Sequence, residues 1–308
     1  MKQQPVFNLL TVLGPTASGK TRLAVALAHN LGGEIISADS RQVFRGMDIG
    51  SGKDLHEYGD VPYHLIDILD AGLEFSVFEF QRRFLGAFDD ISSRGRLPLL
   101  CGGSGMYLDA ALRGYRMVEV PPDEELRTQL AMLPDDQLRN MLLELKPEQH
   151  NRTDLLDRRR TVRAIEIARA ESDAPRQMEP YPSIRPLVIG IRIEREQLRQ
   201  RITARLQDRL DGGLIEEVQR LHDTGIPWDR LDYYGLEYRF VGAFLRGGMS
   251  RTAMQQRLNS AIHDFAKRQC TWFRHMEKGG VPLHWVDGSA DTLGETMKII
   301  RASCSAGA

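Results

Sequence analysis

Two hydrophobic rhythms alternate along this chain. Short apolar runs of strand length occur at 7–13, 34–38, 97–101, 187–193 and 283–287, with a weaker one at 64–68. Between them, apolar residues recur every three or four positions, as one face of a helix requires. Leu23, Leu27 and Leu31 mark the first helix, and Ser76-Val77-Phe78-Glu79 has the form of a capping box opening a second, to about Ser93. Further helices are predicted at 106–112, 123–133, 135–145, 154–171 and 194–211, then from Gly213 to about Thr224, from Ser250 to about Met276, and at the end of the chain. Residues 225–249 read as loop-rich. Continuous apolar strands alternating with helices predict an α/β protein with a parallel sheet flanked by helices. The rhythm changes at Gly114 to Pro122, where glycine and a Pro-Pro pair mark a boundary, and no strand is evident again before Leu187. The predicted organisation is a core of 1–114 and 185–308 with a helical insertion domain at 115–184.

The first strand runs into Gly14-Pro15-Thr16-Ala17-Ser18-Gly19-Lys20-Thr21, of the form GxxxxGK[ST], and then into the first helix. That strand–loop–helix order makes the sheet P-loop NTPase-like. Glycines let several backbone N–H groups converge on one anion, and the helix N-terminus adds its dipole. Lys20 supplies a positive charge, and the Thr21 hydroxyl can ligate Mg²⁺. The strand at 34–38 ends in Asp39, at the edge where ligands of parallel sheets bind. Asp39 is therefore a candidate base or outer metal partner, or else a cap for the residues after it. Gly102-Gly103-Ser104-Gly105 ends another strand and allows close approach of a ligand or of backbone. Lys53, in the Gly-rich segment Gly50 to Asp54, reads as a second phosphate contact or as a solvated charge.

Composition narrows the picture. The chain has 308 residues, 42% hydrophobic and 27% charged, with a net charge of −1, ordinary values for a globular protein. The near-zero charge argues against indiscriminate nucleic-acid binding but conceals a pattern. Residues 115–150 carry 4 basic and 8 acidic side chains, and 151–210 carry 14 basic, all arginine, and 9 acidic. Arginine's planar fork suits phosphate oxygens, although the whole chain prefers it, with 34 Arg to 7 Lys. Arg159 and Arg163 lie four apart on one predicted helix face, with Arg160 beside them; a nucleic-acid backbone is the expected partner. Arg201 and Arg205 stand one turn apart near the start of the helix after the fourth long strand. Tyr233, Tyr234 and Tyr238, interleaved with Gly235 and Arg239, can stack on bases or fill a core. Three scattered cysteines and eight scattered histidines suggest neither a disulfide framework nor a zinc site. No stretch is long enough to span a membrane, and the N-terminus leaves no room for a signal peptide. A cytoplasmic protein without a membrane partner is expected.

Taken together, GPTASGKT at 14–21, ISADS at 36–40, RGMDIG at 45–50, PLLCGGS at 98–104, RRTVRAIE at 159–166 and AKRQCTWFR at 266–274 resemble the tRNA dimethylallyltransferase (isopentenyl-tRNA transferase) family, in family order. The resemblance implies that Thr16 to Thr21 hold the diphosphate of dimethylallyl diphosphate, at a site often labelled for ATP, and that Arg205 also contacts it. It implies that Asp39 is the general base. It assigns tRNA contact to Asp39, Ser40, Arg41 and Gln42, to Ser104 and Arg127, and to Arg159, Arg160, Thr161, Val162 and Arg163. The implied target is the adenosine adjacent to the anticodon, turned out of its stack; the chain is expected to act as a monomer with Mg²⁺. The chain departs from the family pattern in three places. Ser104 stands where Thr is usual, Gly50-Ser51-Gly52-Lys53-Asp54 replaces the commoner GTAKP, and Gly235-Leu236-Glu237-Tyr238-Arg239 replaces a shorter Gly-Tyr-Arg. Rival readings are prenylation of free adenine nucleotides, a small-molecule P-loop kinase, and a non-catalytic RNA-binding protein.

Overall fold

A computed structural model describes residues 7–115, 117–147, 155–173 and 181–305. They form two compact units, one from the chain up to Gly114 and from Ser183 onward, the other Tyr115–Pro182.

The first unit is built on a six-stranded sheet whose strands are, in spatial order, β4 (Tyr63–His64), β2 (Gly33–Ala38), β6 (Leu97–Gly102), β1 (Leu9–Leu13), β7 (Pro186–Arg192) and β8 (Leu283–Asp287). Every pairing is parallel; Leu10 lies opposite Leu99 on one side and Leu187 on the other. The strands β3 (Phe44–Arg45) and β5 (Leu69–Asp70) form a separate parallel pair. Because side chains alternate along a strand, Leu9 and Leu13 join one core with Ile36, Leu100 and Val188. Leu10 and Val12 join the opposite one with Ile35, Leu99, Ile189 and Val286. The second face is covered by α1 (Lys20–Leu31) and α12 (Thr292–Ser305); the first by α2 (Val77–Ser93), α3 (Gly105–Arg113), α7 (Arg195–Asp211), α8 (Leu214–Asp223) and α11 (Arg251–Lys278). Ser76 caps α2 as its sequence predicts, its hydroxyl accepting the Glu79 N–H at 3.1 Å.

Two expectations need correction. Residues 225–249 are not mostly loop: α9 (Trp228–Tyr233) and α10 (Leu236–Leu245) occupy most of the stretch. Tyr234 and Tyr238 are fully buried among them, whereas Tyr233 is exposed under Arg41 and Arg230. The strand predicted at 64–68 stops at His64, because Leu65 and Asp67 take positive φ angles of 63° and 54° and leave the extended region.

In the second unit, α4 (Glu124–Ala131), α5 (Asp135–Leu145) and α6 (Arg158–Asp173) enclose a small core of Leu126, Leu130, Leu138, Leu142 and Ile165. The predicted helix start at 154 lies outside the described residues. Among the described residues, no helix is long and apolar enough to cross a membrane.

Candidate active site

The carboxyl ends of β1, β2, β6 and β7 open on a cavity of about 1140 Å³. The β1–α1 turn forms one wall. Gly19 takes φ 84° ahead of Lys20, the first residue of α1, a conformation glycine adopts at no cost to a side chain. The turn is braced from a distance. Buried Gln269 on α11 accepts the Thr16 N–H at 2.8 Å and donates to the Gly103 carbonyl at 2.9 Å. Gly103 has no room for more: a Cβ there would lie 2.5 Å from Gln269 Nε2. Thr16, Ala17, Ser18, Gly19, Lys20 and Thr21 all line the cavity. Gly14 and Pro15, predicted with them, do not line it. Lys20 Nζ reaches the Pro15 carbonyl at 3.4 Å. Burial lowers its pKa and the Arg205 and Arg209 charges add to this, partly offset by Cys101 and Asp39.

Asp39 follows β2 and faces the same cavity. Its Oδ1 accepts the Arg41 N–H at 2.9 Å, which fixes the carboxylate at the head of a turn. The turn is tied to β6, since the Ser40 N–H donates to Ser104 Oγ at 3.2 Å and the Ser104 N–H donates to the Ala38 carbonyl at 3.2 Å. Ser40, Arg41 and Ser104 line the cavity too. Gln42 also borders it but is mostly committed inward: its Oε1 accepts the Ser37 hydroxyl and its amide donates to the Gly52 carbonyl.

The far wall comes from α7 and the 48–54 loop. The Arg205 guanidinium pairs with Asp54 and reaches the Gly52 carbonyl. Burial would raise the Asp54 pKa, but the Arg205 and Arg209 charges outweigh it and hold the carboxyl low. One turn along, Arg209 pairs with Glu237 at 3.3 Å. Arg201 donates to the Gly288 carbonyl at 3.2 Å.

Sequence reasoning missed what holds this loop. Glu217 is fully buried and accepts the N–H groups of Asp48, Ile49 and Gly50 at 2.8, 2.7 and 2.9 Å, together with the Tyr238 hydroxyl. Lys53 is neither a phosphate contact nor solvated. It is 1% exposed and donates to the Phe44 carbonyl at 2.7 Å, to Asp48 at 2.6 Å and to Asp67. A buried lysine needs such partners, and the sequence separations of these pairs gave no local signal. Arg209 was legible, standing four residues after Arg205 on one helix.

The second unit holds the other candidates. Arg159 and Arg160 are exposed at the start of α6. Arg127 and Arg163 are committed elsewhere: both bind Glu166, which is buried, at 2.7 and 2.8 Å, and Arg163 also donates to the Val120 carbonyl. The Glu166 hydrogen bond raises the Arg127 pKa. Thr161 is 3% exposed and bonds to the Asp157 carbonyl, and Val162 packs against the small core. Of the predicted face, Arg159 and Arg160 are exposed to solvent; Thr161 is turned inward because α6 must bury that side against α4 and α5. Arg158, absent from the prediction, caps α4 by donating to the carbonyls of Leu130, Ala131 and Leu133.

A family model described as IPP transferase matches residues 42–276, and one described as isopentenyl transferase matches 7–58. The chain is 64% identical over 300 residues to tRNA dimethylallyltransferase 2 of Trichlorobacter lovleyi, covering 97% of this chain and 98% of the relative. It is 67% identical over 296 residues to tRNA dimethylallyltransferase 2 of Pelobacter propionicus, covering 96% and 95%. Among solved structures, the full-length tRNA isopentenylpyrophosphate transferase of Bacillus halodurans is 32% identical, with a TM-score of 0.71 over 97% of both chains. With its phosphate loop, the Asp39 turn and the arginines of α7 gathered around one cavity, the chain belongs to the tRNA dimethylallyltransferase family.

Proposed function

We propose that this protein transfers a dimethylallyl group from dimethylallyl diphosphate to the exocyclic amine of the adenosine adjacent to the anticodon of a tRNA, releasing diphosphate. The observation that carries the reading is that Lys20 and Asp39, in the segments that follow two different strands, open on one cavity. The amine nitrogen attacks the first carbon of the allyl group as the carbon–oxygen bond to diphosphate breaks. That amine is a poor nucleophile, so its proton must be taken up as the new bond forms, and the Asp39 carboxylate is the acceptor. Negative charge grows on the leaving diphosphate, where the loop N–H groups, Lys20 and Arg205 stabilise it most. For Arg205 to do so its fork must exchange Asp54 for phosphate oxygens.

Among the described residues, no group of three or more His, Cys, Asp or Glu could hold a metal ion alone. The Thr21 hydroxyl borders the cavity, and a single hard oxygen donor suits Mg²⁺, which is bound by few protein oxygens together with phosphates and water. When bound there, Mg²⁺ would neutralise charge on the diphosphate. Arg159 and Arg160 supply backbone contacts to the tRNA, and the monomer is the acting unit.

The test is incubation of the protein with labelled dimethylallyl diphosphate and, separately, unmodified tRNA, AMP, or ATP with small alcohols. Label should enter tRNA alone. Label in AMP, or phosphate transfer to an alcohol, would replace this reading with prenylation of free nucleotides or with a kinase.

A further inference from the structure

Arg209 is a cation without adequate pairing at the wall of the cavity. Its side chain is 13% exposed, its Nε is buried with no hydrogen-bond partner among the described residues, and its Nη1 reaches Glu237 only at 3.3 Å. A guanidinium carries five donors, and leaving them unmatched in a buried place is costly. Its neighbour is a second guanidinium. A Cβ on Gly52 would lie 1.8 Å from Arg209 Nη2 and 2.8 Å from Arg205 Nη2, so the two forks converge over the bare backbone of one glycine. Two like charges at such a separation repel. Asp54 and Glu237 face them, one carboxylate on each. Burial holds the Glu237 pKa above its ordinary value and pulls the Arg209 pKa down.

We propose that Arg209 is a second arginine for the diphosphate, acting beside Arg205, and that Asp54 and Glu237 occupy the two forks until phosphate oxygens displace them. The inference deepens the proposed function and rests on its diphosphate site. Paired arginines match a diphosphate because its two phosphoryl groups offer more oxygens than one fork can engage. Gly52 follows from the same arrangement, since any side chain there would collide with Arg209.

The test is calorimetric titration of the full-length chain with inorganic diphosphate, in parallel for the parent and for Arg209→Met, Arg209→Lys, Glu237→Gln and Lys20→Ala. Loss of a charge-assisted contact should weaken diphosphate binding in Arg209→Met by about 10- to 100-fold, with partial recovery in Arg209→Lys. Glu237→Gln, which removes the competing charge, should tighten binding several-fold, an effect that a purely structural Arg209–Glu237 pair would not produce. Affinity within two-fold of the parent for a folded Arg209→Met would overturn the proposal. If that variant does not fold, unchanged or weaker binding by Glu237→Gln overturns it instead. Failure of the parent to bind diphosphate, or equal binding by Lys20→Ala, would instead remove the loop site on which the inference stands.

Discussion

Single side chains in this protein are held by partners far away in sequence, and that is where prediction and structure part. The places of the phosphate loop and Asp39 at the cavity were legible because both follow strand ends, and that of Arg205 because it stands one turn after Arg201 on a predicted helix. Lys53 was not, because Phe44, Asp48 and Asp67 meet it only after the loop folds back. Removing one partner of a buried ion pair costs about 3–5 kcal/mol. Lys53→Met should therefore lower the thermal midpoint markedly and activity with it; a phosphate contact would instead raise KM and leave the melt unchanged. Ser104 is a milder case. Its hydroxyl accepts the Ser40 N–H and so steadies the turn that carries Asp39. Ser104→Ala should reduce kcat by about ten-fold, the worth of one hydrogen bond of average to strong size. Ser104→Thr should restore it in the same steady-state assay. Equal rates for all three proteins would show that the turn needs no such tether.

Elements in the core follow their hydrophobic period closely, since an all-parallel sheet buried on both faces needs continuous apolar strands. The exceptions are short. The strand β4 has two residues, too few for a period to be read, and two short helices at 228–245 were obscured by the glycines and charges around them. The edge of the sheet is secured instead by charge. Glu34 on β2 is 3% exposed and receives Arg94 and, at 2.8 Å, His64 of β4. The Arg94 hydrogen bonds, working against burial and aided by His64, bring the Glu34 pKa down from 4.5 to about 2. A carboxyl depressed in the folded state stabilises it above the unfolded pKa, and that stability is lost as pH falls from about 4.5 to about 2. Because Arg94 is 44% exposed, solvent screening weakens its contribution. The Glu34→Gln variant should thus melt earlier than the parent at pH 7, and the gap should close below pH 3. A constant gap across that range would assign the effect to packing alone.

The whole molecule joins a catalytic sheet to a helical unit whose charges sort into two kinds. Arg127 and Arg163 converge on buried Glu166 and hold α4 and α6 together, whereas Arg159 and Arg160 stay open. The sequence shows an arginine run but not this division, because Glu166 looks like any other helical glutamate until α4 packs against it. Replacing Arg159 and Arg160 by Ala should weaken tRNA binding and reduce the slope of log affinity against log salt by about one to two. The melting temperature should hardly move. Arg163→Ala should destabilise the unit instead. Identical salt slopes for the double variant and the parent would leave the open arginines without a role in tRNA binding.

Every scale leads back to the proton that must leave the adenine amine. The most direct test is single-turnover transfer from dimethylallyl diphosphate to tRNA by Asp39→Asn, with both substrates bound in advance at saturating concentration. Asn keeps the size of the side chain and an oxygen that can accept the Arg41 N–H, but it cannot take up a proton. Substrate affinities should stay near those of the parent while the transfer rate falls by about 10²- to 10⁴-fold, the usual worth of a positioned acid or base. A rate within a few-fold of the parent, with both substrates bound, would contradict the account.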